Sequence, residues 1–134
     1  MREQCVTSTD TLEGKRVLVV EDEYFVADDL RRGLVGAGVV IVGPVADIDQ
    51  ALKAAEREDV DAALLDINLG GEMSFPVADR LSARRIPFVL TTGYDDWTIP
   101  ERFRHARRLG KPFSVRIALD CLRQTLTSRQ PENA

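Results

Sequence analysis

The chain has 134 residues, of which 44% are hydrophobic and 30% are charged. This length and composition are typical of one globular domain that can bury its own core. The formal net charge is −4, so general nucleic-acid binding is not expected, because it depends on a basic surface that neutralises phosphates. No apolar run approaches the roughly 20 residues of a membrane span. The two cysteines have neither the number nor the spacing of a disulfide framework or a zinc site.

The two ends of the chain are polar. Residues 1–14 lack the apolar segment of a secretory signal peptide, and they indicate a polar N-terminal tail. We therefore expect one domain over residues 15–127, a C-terminal tail over residues 128–134, and a protein that stays in the cytoplasm without contacting the membrane.

Short apolar runs alternate with segments of helical period along the chain, which is the pattern of repeated βα units around a parallel sheet. The runs are rich in Val, Ile and Leu, as is typical of strands that helices cover on both faces. The predicted strands, in chain order, are residues 16–20, 39–45, 61–66, 86–92 and, with a weaker pattern, 107–110.

Apolar stripes predict helices after the first two strands. Val26, Leu30 and Leu34 recur at the spacing of one helical face. The second helix is predicted to begin near Asp47, which together with Gln50 has the spacing of a capping box. Both stripes are expected to face the sheet.

Later segments differ in how clearly they predict a helix. Apolar positions within residues 77–81 and 115–126 predict a third and a last helix. The segment between residues 92 and 111 has no such stripe, and Pro100 lies in it. There we expect a loop followed by one or two helical turns, which makes a shortened fourth helix.

Polar side chains follow the predicted strands at the edge where a parallel sheet binds ligands. In an open sheet of this kind, the ligand crevice lies at the carboxyl ends of the strands. The first strand is followed by Glu21, Asp22 and Glu23, the third ends at Asp66, the fourth ends at Thr92, and the fifth is followed by Lys111. These groups are predicted to converge on one small site.

A cluster of carboxylates is expected to bind a cation, because each close pair repels by roughly 4 kcal/mol at an effective dielectric constant near 20. Oxygen ligands without His or Cys favour a hard ion, and Mg²⁺ fits best because it leaves positions for water and phosphate oxygens. Such a site suggests phosphoryl chemistry, with Asp66 as the nucleophile. Lys111 and the Thr92 hydroxyl would stabilise the charge on the transferring group.

Four segments in register resemble motifs of the receiver domain of bacterial two-component response regulators: "VLVVEDE", "ALLDINLGG", "FVLTTGY" and "GKPF". The resemblance covers roughly residues 15–127. It implies a flavodoxin-like, doubly wound α/β fold of (βα)5 type with strand order 2-1-3-4-5. It also implies that Asp66 accepts a phosphoryl group from a phosphohistidine of a sensor histidine kinase or a histidine phosphotransfer protein.

The resemblance further implies a set of site residues. Mg²⁺ would be bound by the Asp22 and Asp66 carboxylates, by the Asn68 backbone carbonyl and, through water, by Glu21. Thr92 would carry the switching hydroxyl. Lys111 would be the amine that pairs with the phosphoryl group.

Three positions depart from the common pattern of the family. Glu21 stands where Asp is commoner, and its extra methylene still permits a contact through water. Arg108 occupies the position, three before Lys111, where many members have a switching Tyr or Phe. The segment between Thr92 and Lys111 is short, and Thr-Gly-Tyr at 92–94 is similar to the Phe-x-Thr-Gly-x-Tyr-like motif of short single-domain receivers of alphaproteobacteria.

The leading hypothesis is a phosphoacceptor that switches protein–protein interactions, or that carries or drains phosphate in a phosphorelay, without turning over a substrate. It would act on an unknown downstream protein as a monomer or weak dimer. The main alternative is a receiver-fold interaction module that works without phosphorylation. A hydrolase of haloacid-dehalogenase type would instead need Asp-x-Asp after the first strand, and three acids there would repel the phosphate of a flavodoxin-like FMN module.

Overall fold

A five-stranded parallel sheet forms the centre of the computed structural model, which describes residues 12–57, 59–93 and 99–128. The strands of this sheet are β1 (Arg16–Val20), β2 (Val40–Val45), β3 (Ala62–Asp66), β6 (Phe88–Thr92) and β7 (Arg107–Gly110). A separate antiparallel hairpin follows β3 and consists of β4 (Asn68–Leu69) and β5 (Glu72–Met73). The sheet order is β2-β1-β3-β6-β7. Counting only the strands of the sheet, this is the order 2-1-3-4-5, so the predicted fold is confirmed.

In the described residues, four α-helices connect or follow these strands. They are α1 (Tyr24–Gly36), α2 (Ile48–Arg57), α3 (Phe75–Ala83) and α4 (Val115–Ser128). Between β6 and β7 the described residues form a single 3-10 turn, Glu101–Phe103, which agrees with the expected shortening of the fourth helix. Among the described residues, no helix combines the length and the hydropathy that a membrane span requires.

The sheet separates two apolar cores, because successive side chains of a strand point to opposite faces. Every position of β3 is buried, as expected for a central strand. On one face, Leu18 and Leu65 pack with α2, α3 and Phe103. On the other face, Val19 and Leu64 pack with α1 and α4. The continuous apolar runs of the sequence are therefore explained by burial on both faces.

Local signals set the helix ends that lead to and from the sheet. The backbone N–H of Gln50 donates to the Asp47 side chain at 2.8 Å, which is the expected cap at the start of α2. After α1, Gly38 has a φ of +87°, and the Val39 N–H donates to the Leu34 carbonyl at 3.0 Å. This is the geometry with which glycine ends many helices.

Leu12 belongs to the folded core, although it lies in the segment predicted as a tail. Its side chain is 1% exposed and packs in the core between the sheet, α1 and α4. The Gly14 N–H donates to the Gly38 carbonyl at 2.8 Å, which ties this segment to the end of α1. Packed structure therefore includes Leu12, and the predicted domain boundaries stay predictions.

Candidate functional site

Three acidic side chains meet at the carboxyl edge of the sheet. Glu21 follows β1 and is 3% exposed, Asp66 ends β3 and is 5% exposed, and Asp22 is exposed. One carboxylate oxygen of each lies within 4.8 Å of the others. The strands cause this convergence, because Val20 is in register with Leu65 and the residues that follow them lie side by side.

Lys111 brings a positive charge to the same place. Its Nζ donates to Asp66 Oδ2 at 2.9 Å and to Glu21 Oε2 at 3.1 Å. Its backbone N–H donates to the Thr92 carbonyl at 2.8 Å, which holds the residue against the end of β6. One ammonium group therefore bridges two buried carboxylates that come from different strands.

The two buried carboxylates are short of compensating charge. Burial is the main cause that raises the pKa of Glu21 from 4.5 to about 7, and the charge of Asp66 is the second, although Lys111 opposes the shift. Burial also raises the pKa of Asp66, against the hydrogen bond and charge of Lys111. Burial lowers the pKa of Lys111, but its contacts with Asp66 and Glu21 outweigh burial and leave that pKa raised. The site therefore favours an additional cation.

Two contacts outside the charged cluster orient Asp66. The backbone N–H of Asn68 donates to Asp66 Oδ1 at 3.2 Å. The hydroxyl of Ser74, which is fully buried, donates to the Asp66 backbone carbonyl at 2.6 Å. Sequence reasoning missed Ser74: its place before Phe-Pro indicates the start of a helix, but that signal predicts a helix cap and not a contact with Asp66.

The β4–β5 hairpin lies beside the acidic cluster. Gly70 and Gly71 form its turn with φ values of +60° and +96°, a conformation that favours glycine. The Asn68 side chain closes the turn by accepting a hydrogen bond from the Gly71 N–H at 2.7 Å. A Cβ at Gly70 would lie 3.9 Å from the Asp22 carboxylate, so the hairpin borders the exposed side of the cluster.

Other residues of the predicted site occupy distinct positions. Thr92 is buried at the end of β6. Glu23 stands at the N-cap of α1, where its side chain makes no capping hydrogen bond, but its backbone N–H donates to Glu21 Oε2 at 3.1 Å. Arg108 is exposed on β7 and donates to the Arg104 carbonyl. Tyr94 of the Thr-Gly-Tyr motif lies outside the described residues.

The donor set fits a hard divalent cation. Glu21, Asp22 and Asp66 are the only group of three His, Cys, Asp or Glu side chains with metal-binding spacing in the described part of the chain. All their ligand atoms are carboxylate oxygens, which Mg²⁺ prefers over nitrogen and sulfur. Burial and the charge of Asp66 raise the pKa of Glu21 even though Lys111 contacts it, which is consistent with a cluster whose negative charge one ammonium group does not fully offset.

Comparisons with known proteins agree with this architecture. SdrG from Sphingomonas melonis Fr1 is 41% identical, and its solution structure superimposes with a TM-score of 0.74 over 85% of this chain and 97% of that chain. A CheY-like receiver domain protein from Methanospirillum hungatei JF-1, 22% identical, has the same fold, with a TM-score of 0.78 over 90% of this chain and 99% of that one.

A longer curated relative and a family profile match as well. The transcriptional regulatory protein PdtaR of Mycobacterium tuberculosis is 31% identical over 113 residues, which are 81% of this chain and 55% of that protein. The chain thus spans little more than half the length of this relative. The profile of the response regulator receiver domain matches residues 17–111. Since that match covers most of the chain, the protein belongs to the response regulator receiver domain family.

Proposed function

We propose that this chain is a phosphoacceptor in which Asp66 receives a phosphoryl group from a phosphohistidine of a sensor histidine kinase or a histidine phosphotransfer protein. The observation that carries the proposal is the buried Asp66 carboxylate, with Lys111 Nζ at 2.9 Å and two further acids within 4.8 Å. A carboxylate nucleophile beside a fixed amine and a cation site is what phosphoryl transfer to aspartate requires.

The transfer moves one phosphoryl group between two nucleophiles. An Asp66 carboxylate oxygen attacks phosphorus and forms the new P–O bond, while the P–N bond to the donor histidine breaks and its electron pair stays on the imidazole nitrogen. The Lys111 ammonium stabilises negative charge on the phosphoryl oxygens, and the Thr92 hydroxyl donates to one of them. Asn68 and Ser74 keep the Asp66 side chain and backbone in place through their hydrogen bonds.

The acidic cluster would hold Mg²⁺ through the Asp22 and Asp66 carboxylates, the Asn68 backbone carbonyl and a water bound by Glu21. Bound Mg²⁺ supplies positive charge that neutralises the oxygens of the transferring group. The residues of the chain contribute the ligand geometry, because β1 and β3 hold Glu21 and Asp66 side by side. The burial of these two acids keeps bulk water from screening the charges.

The consequence of phosphorylation would be a change in protein–protein interactions or the transfer of phosphate within a relay. Members of the receiver family act as signalling switches, and nothing in this site requires turnover of a separate substrate. We propose an unidentified downstream protein as the partner that reads the phosphorylated state, with the chain acting as a monomer or weak dimer.

Phosphotransfer profiling tests this function. Each histidine kinase and phosphotransfer protein of the source organism is phosphorylated on histidine and mixed with the wild-type chain or with Asp66→Asn. We expect one or a few donors to phosphorylate the wild type rapidly and none to phosphorylate Asp66→Asn. Equal labelling of the variant would place the phosphoryl group elsewhere. No transfer from any donor would instead favour the interaction module that works without phosphorylation.

A further inference from the structure

A buried hydroxyl next to the site is left without a partner. Thr91 is 2% exposed, and its Oγ1 has no hydrogen bond with any of the residues that the structure describes. Burying an unpaired hydroxyl reduces stability, whereas Val would fill nearly the same space without that cost. Neither the strand nor the apolar core therefore requires a hydroxyl at position 91.

The sheet puts this hydroxyl beside Asp66. Thr91 on β6 is in register with Asp66 on β3. Thr91 lies two residues after Val89 and Asp66 two residues after Leu64, and both apolar residues pack in the core that α1 and α4 cover. Because side chains alternate along a strand, Thr91 and Asp66 project from the same face. On the other neighbouring strand, Thr91 is in register with the apolar Leu109. Of its two partners in register, Asp66 is therefore the polar one.

Asp66 has a donor on each of its oxygens as long as Lys111 stays in contact with it. Oδ2 accepts from Lys111 Nζ, and Oδ1 accepts from the Asn68 N–H. Lys111 Nζ is also shared with Glu21. A phosphoryl group at Asp66 carries more negative charge than either carboxylate, so it attracts the ammonium group away from its present contacts.

We propose that Thr91 is a positioning residue for Asp66: its hydroxyl donates to an Asp66 side-chain oxygen when Lys111 moves to the phosphoryl group. This inference rests on the proposed function. Neighbouring strands lie about 4.8 Å apart, so a change of side-chain rotamer brings the two groups within hydrogen-bond distance. The site would then use two hydroxyls from consecutive residues. The Thr92 hydroxyl would donate to the phosphoryl group, and the Thr91 hydroxyl would donate to the Asp66 side chain that bears it.

The test uses beryllofluoride, a phosphoryl mimic, together with Mg²⁺. Its apparent affinity is measured by thermal melting for the wild type, Thr91→Val and Thr91→Ser. Without ligand, Thr91→Val should melt at the same temperature as the wild type or higher, because no hydrogen bond is lost. With Mg²⁺ and beryllofluoride, its affinity should fall about tenfold, as expected for the loss of one hydrogen bond to a charged group. Thr91→Ser should stay close to the wild type.

Thr125→Val is the matched control, because Thr125 is another buried threonine, and its hydroxyl already donates to the Cys121 carbonyl at 2.8 Å. It should leave the affinity for beryllofluoride unchanged. Wild-type affinity in Thr91→Val would overturn the inference, and so would a lower melting temperature of that variant without ligand. If neither the wild type nor the Thr91 variants respond to Mg²⁺ and beryllofluoride, the proposed function itself is overturned.

Discussion

Two regions of the molecule each join distant parts of the chain: one is the contact between α1 and α4, and the other is the acidic cluster. They differ in the kind of side chain that burial brings together. Gly33 of α1 lies directly against the Val115 side chain of α4, and apolar residues of both helices share one core. In the acidic cluster, buried Glu21 and Asp66 share the single ammonium of Lys111.

Burial favours the apolar side chains of the helix contact, whereas it opposes the charged form of the carboxylates in the acidic cluster. Apolar packing gains stability in the protein alone, but burying carboxylates raises their pKa and reduces stability when they are charged. The raised pKa values of Glu21 and Asp66 record that cost. We infer that the carboxyl edge is suited to binding a cation rather than to stabilising the fold, and three measurements test this difference between the two regions.

The largest expected effect is the pH dependence of the metal-free protein. The pKa of Glu21 rises from 4.5 to about 7 on folding, because the folded state holds the proton of this acid more tightly than the unfolded state does. The contribution of Glu21 to the free energy of unfolding is therefore fully present below pH 4.5, where the group is protonated in both states. That stability is lost as the pH rises through 7, by on the order of 3 kcal/mol. Urea unfolding in EDTA, repeated between pH 4.5 and 8, measures the loss, to which Asp66 adds in the same direction.

Two variants test whether Glu21 causes this pH dependence. Glu21→Gln should be markedly less sensitive to pH over the same range, because it removes the titrating group while keeping an acceptor for Lys111. Glu23→Gln, which changes the neighbouring exposed acid, should retain the wild-type profile. If the wild type and Glu21→Gln lose the same stability with rising pH, the cost does not lie in Glu21.

Mg²⁺ should raise the melting temperature at neutral pH. A ligand that binds only the folded state at 100 times its Kd stabilises it by about 2.7 kcal/mol. Asp22→Ala should abolish this response because it removes a proposed ligand. Without metal it should melt slightly above the wild type, because it removes one of the clustered charges. A full magnesium response in Asp22→Ala, measured by calorimetry, would contradict the proposed ligand set.

Two glycines of α1 test the apolar region. A methyl group at Gly33 would overlap the Val115 side chain, whereas at Gly36 it would meet no atom within 4 Å. Gly33→Ala should therefore lose about 2 kcal/mol through overpacking. Gly36→Ala should gain up to about 1 kcal/mol, because alanine favours the helix. Denaturant unfolding compares them, and equal effects of the two substitutions would show that the helices do not depend on this close approach.

Much of the architecture followed from the sequence because it depends on periodic burial. The five strands of the sheet and their order agree with the prediction, and β7 coincides with the weakest predicted strand, residues 107–110. The meeting of Glu21, Asp22 and Asp66 was also predictable, since parallel strands bring their carboxyl ends to one edge. These features need only local patterns and one topological rule.

The remaining features depend on tertiary contacts that a local pattern does not specify. Leu12 is buried because its segment is hydrogen-bonded to the turn after α1. Ser74 contacts Asp66 because the hairpin returns the chain to the end of β3. Thr91 and Thr92 are adjacent and chemically identical, and only the sheet register shows which of them stands beside Asp66.

The most direct test of Asp66 as a phosphoacceptor is its phosphorylation by a small acyl phosphate such as acetyl phosphate, followed by intact-protein mass spectrometry. With Mg²⁺, the wild type should gain the mass of one phosphoryl group. The gain should disappear in EDTA and in Asp66→Asn, and hydroxylamine, which cleaves acyl phosphates, should remove it. A phosphoryl group that persists in Asp66→Asn, or a wild type that stays unmodified when Mg²⁺ is bound, would contradict the proposed role of Asp66.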